Sequence, residues 1–67
     1  EFIVKPNSAA TKCPLRELGF PMDATIGGVV RGDNVMIAVG STEIQAYDRV
    51  VVFAKPEVVS KVGDYFN

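Results

Sequence analysis

The stretch Thr25 to Val39, TIGGVVRGDNVMIAV, constrains this chain more than any other. Two apolar, β-rich runs flank Gly32-Asp33. A glycine-led pair between such runs predicts a two-residue hairpin of type II′, with Gly32 supplying the positive φ. The register follows from the turn. Arg31 opposes Asn34, Val30 opposes Val35 and, if the pairing continues, Gly28 meets Ile37 and Ile26 meets Val39. The large aliphatics of that set share one face. The other face holds Val29 opposite Met36, then Gly27 opposite Ala38. A slip of one residue would scramble this sorting. The same turn accounts for Arg31-Gly32-Asp33, a tripeptide that adhesion proteins present to integrins. A hairpin tip needs those residues for backbone reasons, and nothing else in the sequence suggests secretion.

The flanking segments supply the remaining elements. EFIVK at the start is β-rich and ends at Pro6, which predicts a first strand. KCPLRELG predicts a short helix, with Thr11 just upstream as a cap, Pro14 at the first helical position, Leu15 and Leu18 on one face and Gly19 as the stop. GSTEIQAYD is a connection, with a short bridge expected at Glu43 to Gln45. Arg49 to Ala54 reads as a strong strand. Pro56 then starts a helix with Glu57 against its N-terminal dipole, and Val58, Val62 and Tyr65, with Val59 and Phe66 beside them, form its apolar stripe. Gly63 should weaken this helix. The order is β-α-β-β-β-α, an α+β fold with a mainly antiparallel sheet and two helices on one face.

Two helices leave one sheet face uncovered. An antiparallel sheet with a wet face should alternate apolar and polar residues. These strands do not, because Val50 and Val52 point one way while Val51 and Phe53 point the other. The chain has 67 residues, so it is a single domain, residues 1–67. A core this small rarely supplies more than roughly 3–5 kcal/mol without a staple. The staple is missing: the one cysteine has no internal partner, and there is no histidine for a zinc site. A small, apolar, unstapled chain should lean on a second copy or on the rest of a larger protein. The size and the start at Glu1 lead us to expect a piece of a longer chain. Closed twofold pairing would cover the second face. The interface would use either Val29, Met36, Val50 and Val52 or, on the other face, Val51 and Phe53.

Several functions are disfavoured. The net charge is −1 and the seven lysines and arginines are scattered, which argues against a nucleic-acid partner. Cys13 lacks the histidine base that a nucleophilic cysteine uses, and reads as a small residue at a helix start. Gly27-Gly28 lacks the strand–loop–helix setting and downstream lysine of a phosphate loop. It reads instead as two strand positions over which something packs closely. The acidic residues have no metal-loop spacing. Asp48, after a turn and before a strand, should bond backbone amides at that turn. No enzyme activity and no metal are expected.

At ATIGGVVRGDNVMIA and TEIQAYDRVVVFA the chain resembles the C-terminal regulatory domain of potassium-transport regulators, called the RCK C-terminal or TrkA C-terminal domain. The matching positions are Leu15-Arg16-Glu17-Leu18, Ile26 to Gly32, Asp48 and Val50 to Phe53, with the helix from Pro56 to Phe66 in the last slot. The resemblance covers nearly the whole chain. It departs at Ala38-Val39, where the family often has a proline, and at Tyr47, where a glycine usually precedes the aspartate. The turn from Gly19 to Thr25 is short, as in the Trk type.

This resemblance implies a cytoplasmic subunit, peripheral to the membrane through its parent potassium transporter or channel. It also implies a homodimer and a regulatory, ligand-sensing role, with a nucleotide as the possible effector. Some longer-turn relatives bind a cyclic dinucleotide between two copies; of the positions that would make such contacts, only Thr25 and Ile26 are present here. Any NAD or ATP would sit on a neighbouring domain, because these residues contain no Gly-x-Gly-x-x-Gly. The alternative is a structural assembly domain that binds no small molecule.

Overall fold

The hairpin forms as its turn dictates. In the computed structural model, which describes residues 1–67, β2 (Ala24–Arg31) and β3 (Asn34–Met36) pair antiparallel. Val29 faces Met36, Val30 faces Val35 and Arg31 faces Asn34. Gly32 sits at φ 58° and Asp33 stays out of the left-handed region, the pattern of a type II′ turn. The pairing stops at Met36, short of the Val39 that the uninterrupted pattern predicts.

β2 is itself irregular. Its other neighbour is β4 (Arg49–Ala54), and that ladder carries an irregularity between Ile26 and Gly28. Gly28 faces Val51 while Ile26 faces Val52, so Gly27 is an extra residue on β2. The bulge reverses the alternation below it. Ile26, which the regular pattern puts on the face of Val30, turns to the opposite side and packs against the core beside Val29.

β1 (Phe2–Ile3) pairs antiparallel with β4, giving the sheet order β1-β4-β2-β3. The first helical slot holds two 3-10 turns, Ala9–Thr11 and Leu15–Glu17, in place of a regular helix. Pro14 precedes the second turn as its cap, and only three residues separate it from Leu18, where the turn closes. No bridge forms at Glu43 to Gln45, although Ile44 there is buried in the core. The last slot opens as a 3-10 turn at Pro56–Val58 and continues as α1 (Val59–Asp64).

The core lies between one sheet face and these helical segments. Val4, Val29, Val50, Val62 and Phe66 are its largest fully buried apolar side chains. Phe2 stacks on Phe66 at 5.4 Å between ring centroids. A Cβ at Gly63 would come within 3.2 Å of the Phe2 ring. That glycine weakens α1 locally but lets the helix sit close on β1, which the sequence pattern alone did not show.

Candidate functional site

Two features of the surface can do something beyond folding. The first is the outer face of the sheet. Ile3, Val35, Ile37 and Phe53 are 64%, 78%, 82% and 64% exposed, and no part of the chain covers them. Val30 and Val51 are half-buried between them. Phe53 lies across the bare backbone of the bulge, where a Cβ on Gly27 would fall 2.5 Å from its ring. The close packing expected over Gly27 therefore comes from the neighbouring strand, not from a helix.

This arrangement sorts the two sets of interface residues. Val29 and Val50 are wholly buried, and Met36 and Val52 pack against them. Val29 and Val50 thus lie within the core, while Met36 and Val52 keep part of their surface. The physical reason is that the helices settle on the face where Ile26 joins Val29, since the bulge concentrates apolar bulk there. Val51 and Phe53 point to the uncovered side.

The second feature is a cavity of about 260 Å³ beside β2. Residues 24–26 form one wall and 38–40 the other, with Leu15, Arg16 and Phe20 at the end. Both Thr25 and Ile26, singled out as ligand contacts, line it. The cavity exists because the chain peels away from β2 after Met36: no backbone hydrogen bond joins 24–28 to 37–42. Phe20 is held in place by Tyr65, whose ring lies 4.9 Å away and whose hydroxyl donates to the Gly19 carbonyl at 3.0 Å. The lining is mostly apolar, with Arg16 and Thr25 as polar groups, and Arg16 makes no ion pair within the chain. Such a mixture suits a flat organic ligand carrying negative charge.

The loop from Ile37 to Tyr47 is anchored by a pair that sequence reasoning missed. Arg31 donates from Nε to Asp48 Oδ1 at 3.0 Å and from Nη2 to Oδ2 at 2.8 Å, a bidentate contact. Its Nη2 also donates to the Glu43 carbonyl at 3.0 Å. The Gln45 amide donates to Asp48 Oδ2 at 2.8 Å, the backbone bond expected of that aspartate. Asp48 is 2% exposed. Burial pushes its carboxyl up, but the hydrogen bonds from Arg31 and Gln45 and the Arg31 charge outweigh this and hold it below its ordinary value. The Arg31 guanidinium is raised in turn, chiefly by its hydrogen bond to Asp48. The ladder could have revealed the pair: Val30 faces Arg49 across β2 and β4, so the next residues along each strand meet. Cys13 is half-buried and no group of acidic, cysteine or histidine residues is placed to hold a metal.

The TrkA-C domain model matches residues 1–67. The chain belongs to the TrkA-C domain family. It is 38% identical, over 97% of its length, to a Trk system potassium uptake protein TrkA homolog from Archaeoglobus fulgidus, and it covers 15% of that protein. It is 35% identical over its whole length to Trk system potassium uptake protein TrkA homolog 1 from Methanosarcina mazei, again covering 15% of the relative. A Trk system potassium uptake protein TrkA from Azorhizobium caulinodans is 40% identical over 54 residues. The chain thus spans about 15% of the length of the two archaeal relatives. A solved structure described as an RCK domain with cda superposes with a TM-score of 0.76 at 22% identity, covering 97% of this chain and 93% of that one. That likeness establishes a shared fold. No helix of this TrkA-C domain is long and apolar enough to cross a membrane.

Proposed function

We propose that this TrkA-C domain is a regulatory module of a potassium uptake system, that it pairs with a second copy of itself, and that it takes a small-molecule effector. The observation that carries the reading is the uncovered apolar outer face. Monomeric proteins rarely expose contiguous apolar patches beyond a few hundred Å². Here Ile3, Val35, Ile37 and Phe53 sit on one side of a four-stranded sheet with nothing over them. A twofold-related copy would cover each face with the other. Potassium transport enters from the names of the relatives.

The effector site in this proposal is the cavity beside β2, with Thr25 and Ile26 on its wall and Arg16 as the group that meets negative charge. A cyclic dinucleotide or an adenine nucleotide has the flat rings and the charge that this lining suits. No step of catalysis is assigned to the domain, and NAD or ATP would belong to a neighbouring domain of the parent protein. The parent would act from the cytoplasmic side of a membrane transporter. The second reading, an assembly domain without a ligand, draws on the smallness of the cavity, since ligand pockets are usually about 300–1,000 Å³.

Sedimentation at micromolar concentration tests pairing: a dimer mass is expected, and a folded monomer removes the proposal that the outer face is a self-interface. A thermal-shift screen over cyclic dinucleotides and adenine nucleotides tests the effector. A shift of several degrees with one of them supports sensing, and no shift with any favours the assembly reading.

A further inference from the structure

One side of the cavity beside β2 is lined by main chain that the fold does not use. β2 is eight residues long but meets β3 over only its last three. In an antiparallel ladder one residue turns its N–H and C=O to one neighbouring strand, and the next turns them to the other. The Lys55 amide donates to the Asp23 carbonyl at 3.0 Å, so Asp23 faces β4. Thr25, opposite Phe53, faces β4 in the same way. Ala24 and Ile26 therefore turn theirs to the side from which the chain peels after Met36. The Ala24 amide is taken by the Pro21 carbonyl at 3.2 Å. The Ala24 carbonyl and both main-chain groups of Ile26 find no partner in the chain. Residues 24–26 line the cavity, so these three groups open into it.

Along the strand edge they run acceptor, donor, acceptor. Main-chain polar groups left unpaired in an apolar recess are costly. A flat edge that presents donor, acceptor, donor satisfies all three. A purine with amines at both C6 and C2 has that edge, with N1 between them. Adenine carries the C6 amine and N1, and unsubstituted purine carries N1 alone. Bases are read on this edge by hydrogen bonds and are held by stacking on aromatic rings, which Phe20 at the end of the cavity can supply. The volume of about 260 Å³ lies just below the usual range for a whole ligand, which suits a single base with its phosphate outside. Arg16 is exposed, lines the same end as Phe20 and makes no ion pair, so it is free to take that charge.

We infer that the open edge of β2 is a base-reading strip. The Ala24 carbonyl takes the C6 amine of an adenine-type ring, the Ile26 amide donates to N1, and the Ile26 carbonyl faces C2, where it can take a second amine. This rests on the proposed effector role of the cavity and adds to it how the base is chosen. The choice is made by main chain, so the side chains of Ala24 and Ile26 stay apolar and pack against the core.

The test compares three nucleotides that differ only along this edge: AMP, the 5′-monophosphate of 2,6-diaminopurine riboside, and that of purine riboside. Each is titrated into the 67-residue chain and followed by the NMR shifts of the amides at 24–26. One bond added or removed should change affinity about three- to tenfold, so the diaminopurine nucleotide binds tightest and the purine nucleotide weakest. A synthetic chain in which Ile26 is replaced by its α-hydroxy acid carries an ester oxygen where the amide was. The fold does not use that donor, so a thermal melt should show the chain folded, while AMP binding weakens about three- to tenfold. Equal affinity for the three nucleotides overturns the strip and leaves the effector reading standing. A folded ester chain that binds AMP as well as the original does the same. If the ester chain fails to fold, the nucleotide series decides alone. If none of the three nucleotides binds, the strip and the adenine-nucleotide effector fall together.

Discussion

The two faces of this sheet both carry large apolar side chains and have opposite fates. On the inner face Val29 and Val50 are fully buried under α1 and the 3-10 turns. On the outer face Val35 and Ile37 stand about four-fifths exposed. Hydrophobicity distinguishes them only in part, through Arg49 and Thr25 on the outer face. The bulge at Gly27 adds to the difference, because it sends Ile26 inward and leaves the outer face with a flat glycine floor under Phe53. A face is chosen as core by where the chain can concentrate bulk. The other face is then available for a partner.

The comparison breaks most sharply under charge. Val50→Asp would place a carboxylate in a site with no exposure and no partner. The cost exceeds the roughly 3–5 kcal/mol that a core of this size supplies, so the chain should be unfolded at 25 °C by circular dichroism. Phe53→Asp, one strand position from the inner Val52, should leave the monomer within about 1 kcal/mol of its original stability and abolish any dimer in sedimentation. If both variants unfold, the faces are not functionally distinct.

The clasp between Arg31 and Asp48 comes next in size. Arg31→Ala would leave a buried carboxylate with only the Gln45 amide as partner. The cost should be about 1–3 kcal/mol, toward the lower end because the arginine side chain is 35% exposed and the pair is partly screened. The pH dependence has a definite sign. The folded carboxyl of Asp48 lies below its ordinary value, so its contribution is complete above about pH 3.9, the unfolded value, and is lost as pH falls through the lower folded one. Arg31 is raised and stays charged throughout this window. Urea midpoints measured between neutral pH and pH 3 should therefore fall more steeply for the original chain than for Asp48→Asn.

How much of this was readable in advance depends on the range of the interactions. The turn at Gly32-Asp33 and the pairing of Val29 with Met36 are local, and the alternation of side chains shows them. The order of the four strands, the closing helix and the excess of apolar residues on a second face were legible for the same reason, whereas the first helix was not, since its slot holds two 3-10 turns. The bulge at Gly27 was not, because it appears only when β2 is set against β4, some twenty residues away. With the bulge hidden, Ile26 falls on the wrong face, the hairpin runs on to Val39, and the cavity has no cause. Thr25 and Ile26 came from family resemblance, and their place on the cavity wall depends on that same peeling. Arg31 was read only as part of a turn because its partner lies across the sheet.

Gly32→Val gives a smaller effect and tests the turn. No atom lies within 4 Å of a Cβ at Gly32, so any cost comes from the backbone at φ 58°. About 1 kcal/mol is expected for a β-branched residue held there. A denaturation midpoint unchanged from the original would mean that the tip relaxes freely and does not set the register of the two faces.

The smallest expected effect bears most directly on why the faces differ. Gly27→Ala puts a methyl 2.5 Å from the end of the Phe53 ring. The ring is 64% exposed and can swing aside, so the clash is relieved by a flexible side chain and not by the backbone. Folding stability should change by no more than about 0.5 kcal/mol, as for an ordinary surface substitution. The outer face should change much more, because Phe53 can no longer lie flat across the bulge and the patch loses its shape. Self-association measured by sedimentation should weaken while the urea midpoint holds. If the midpoint falls with it, the glycine serves the fold itself. If neither changes, the flat packing of Phe53 over Gly27 has no part in what the outer face does.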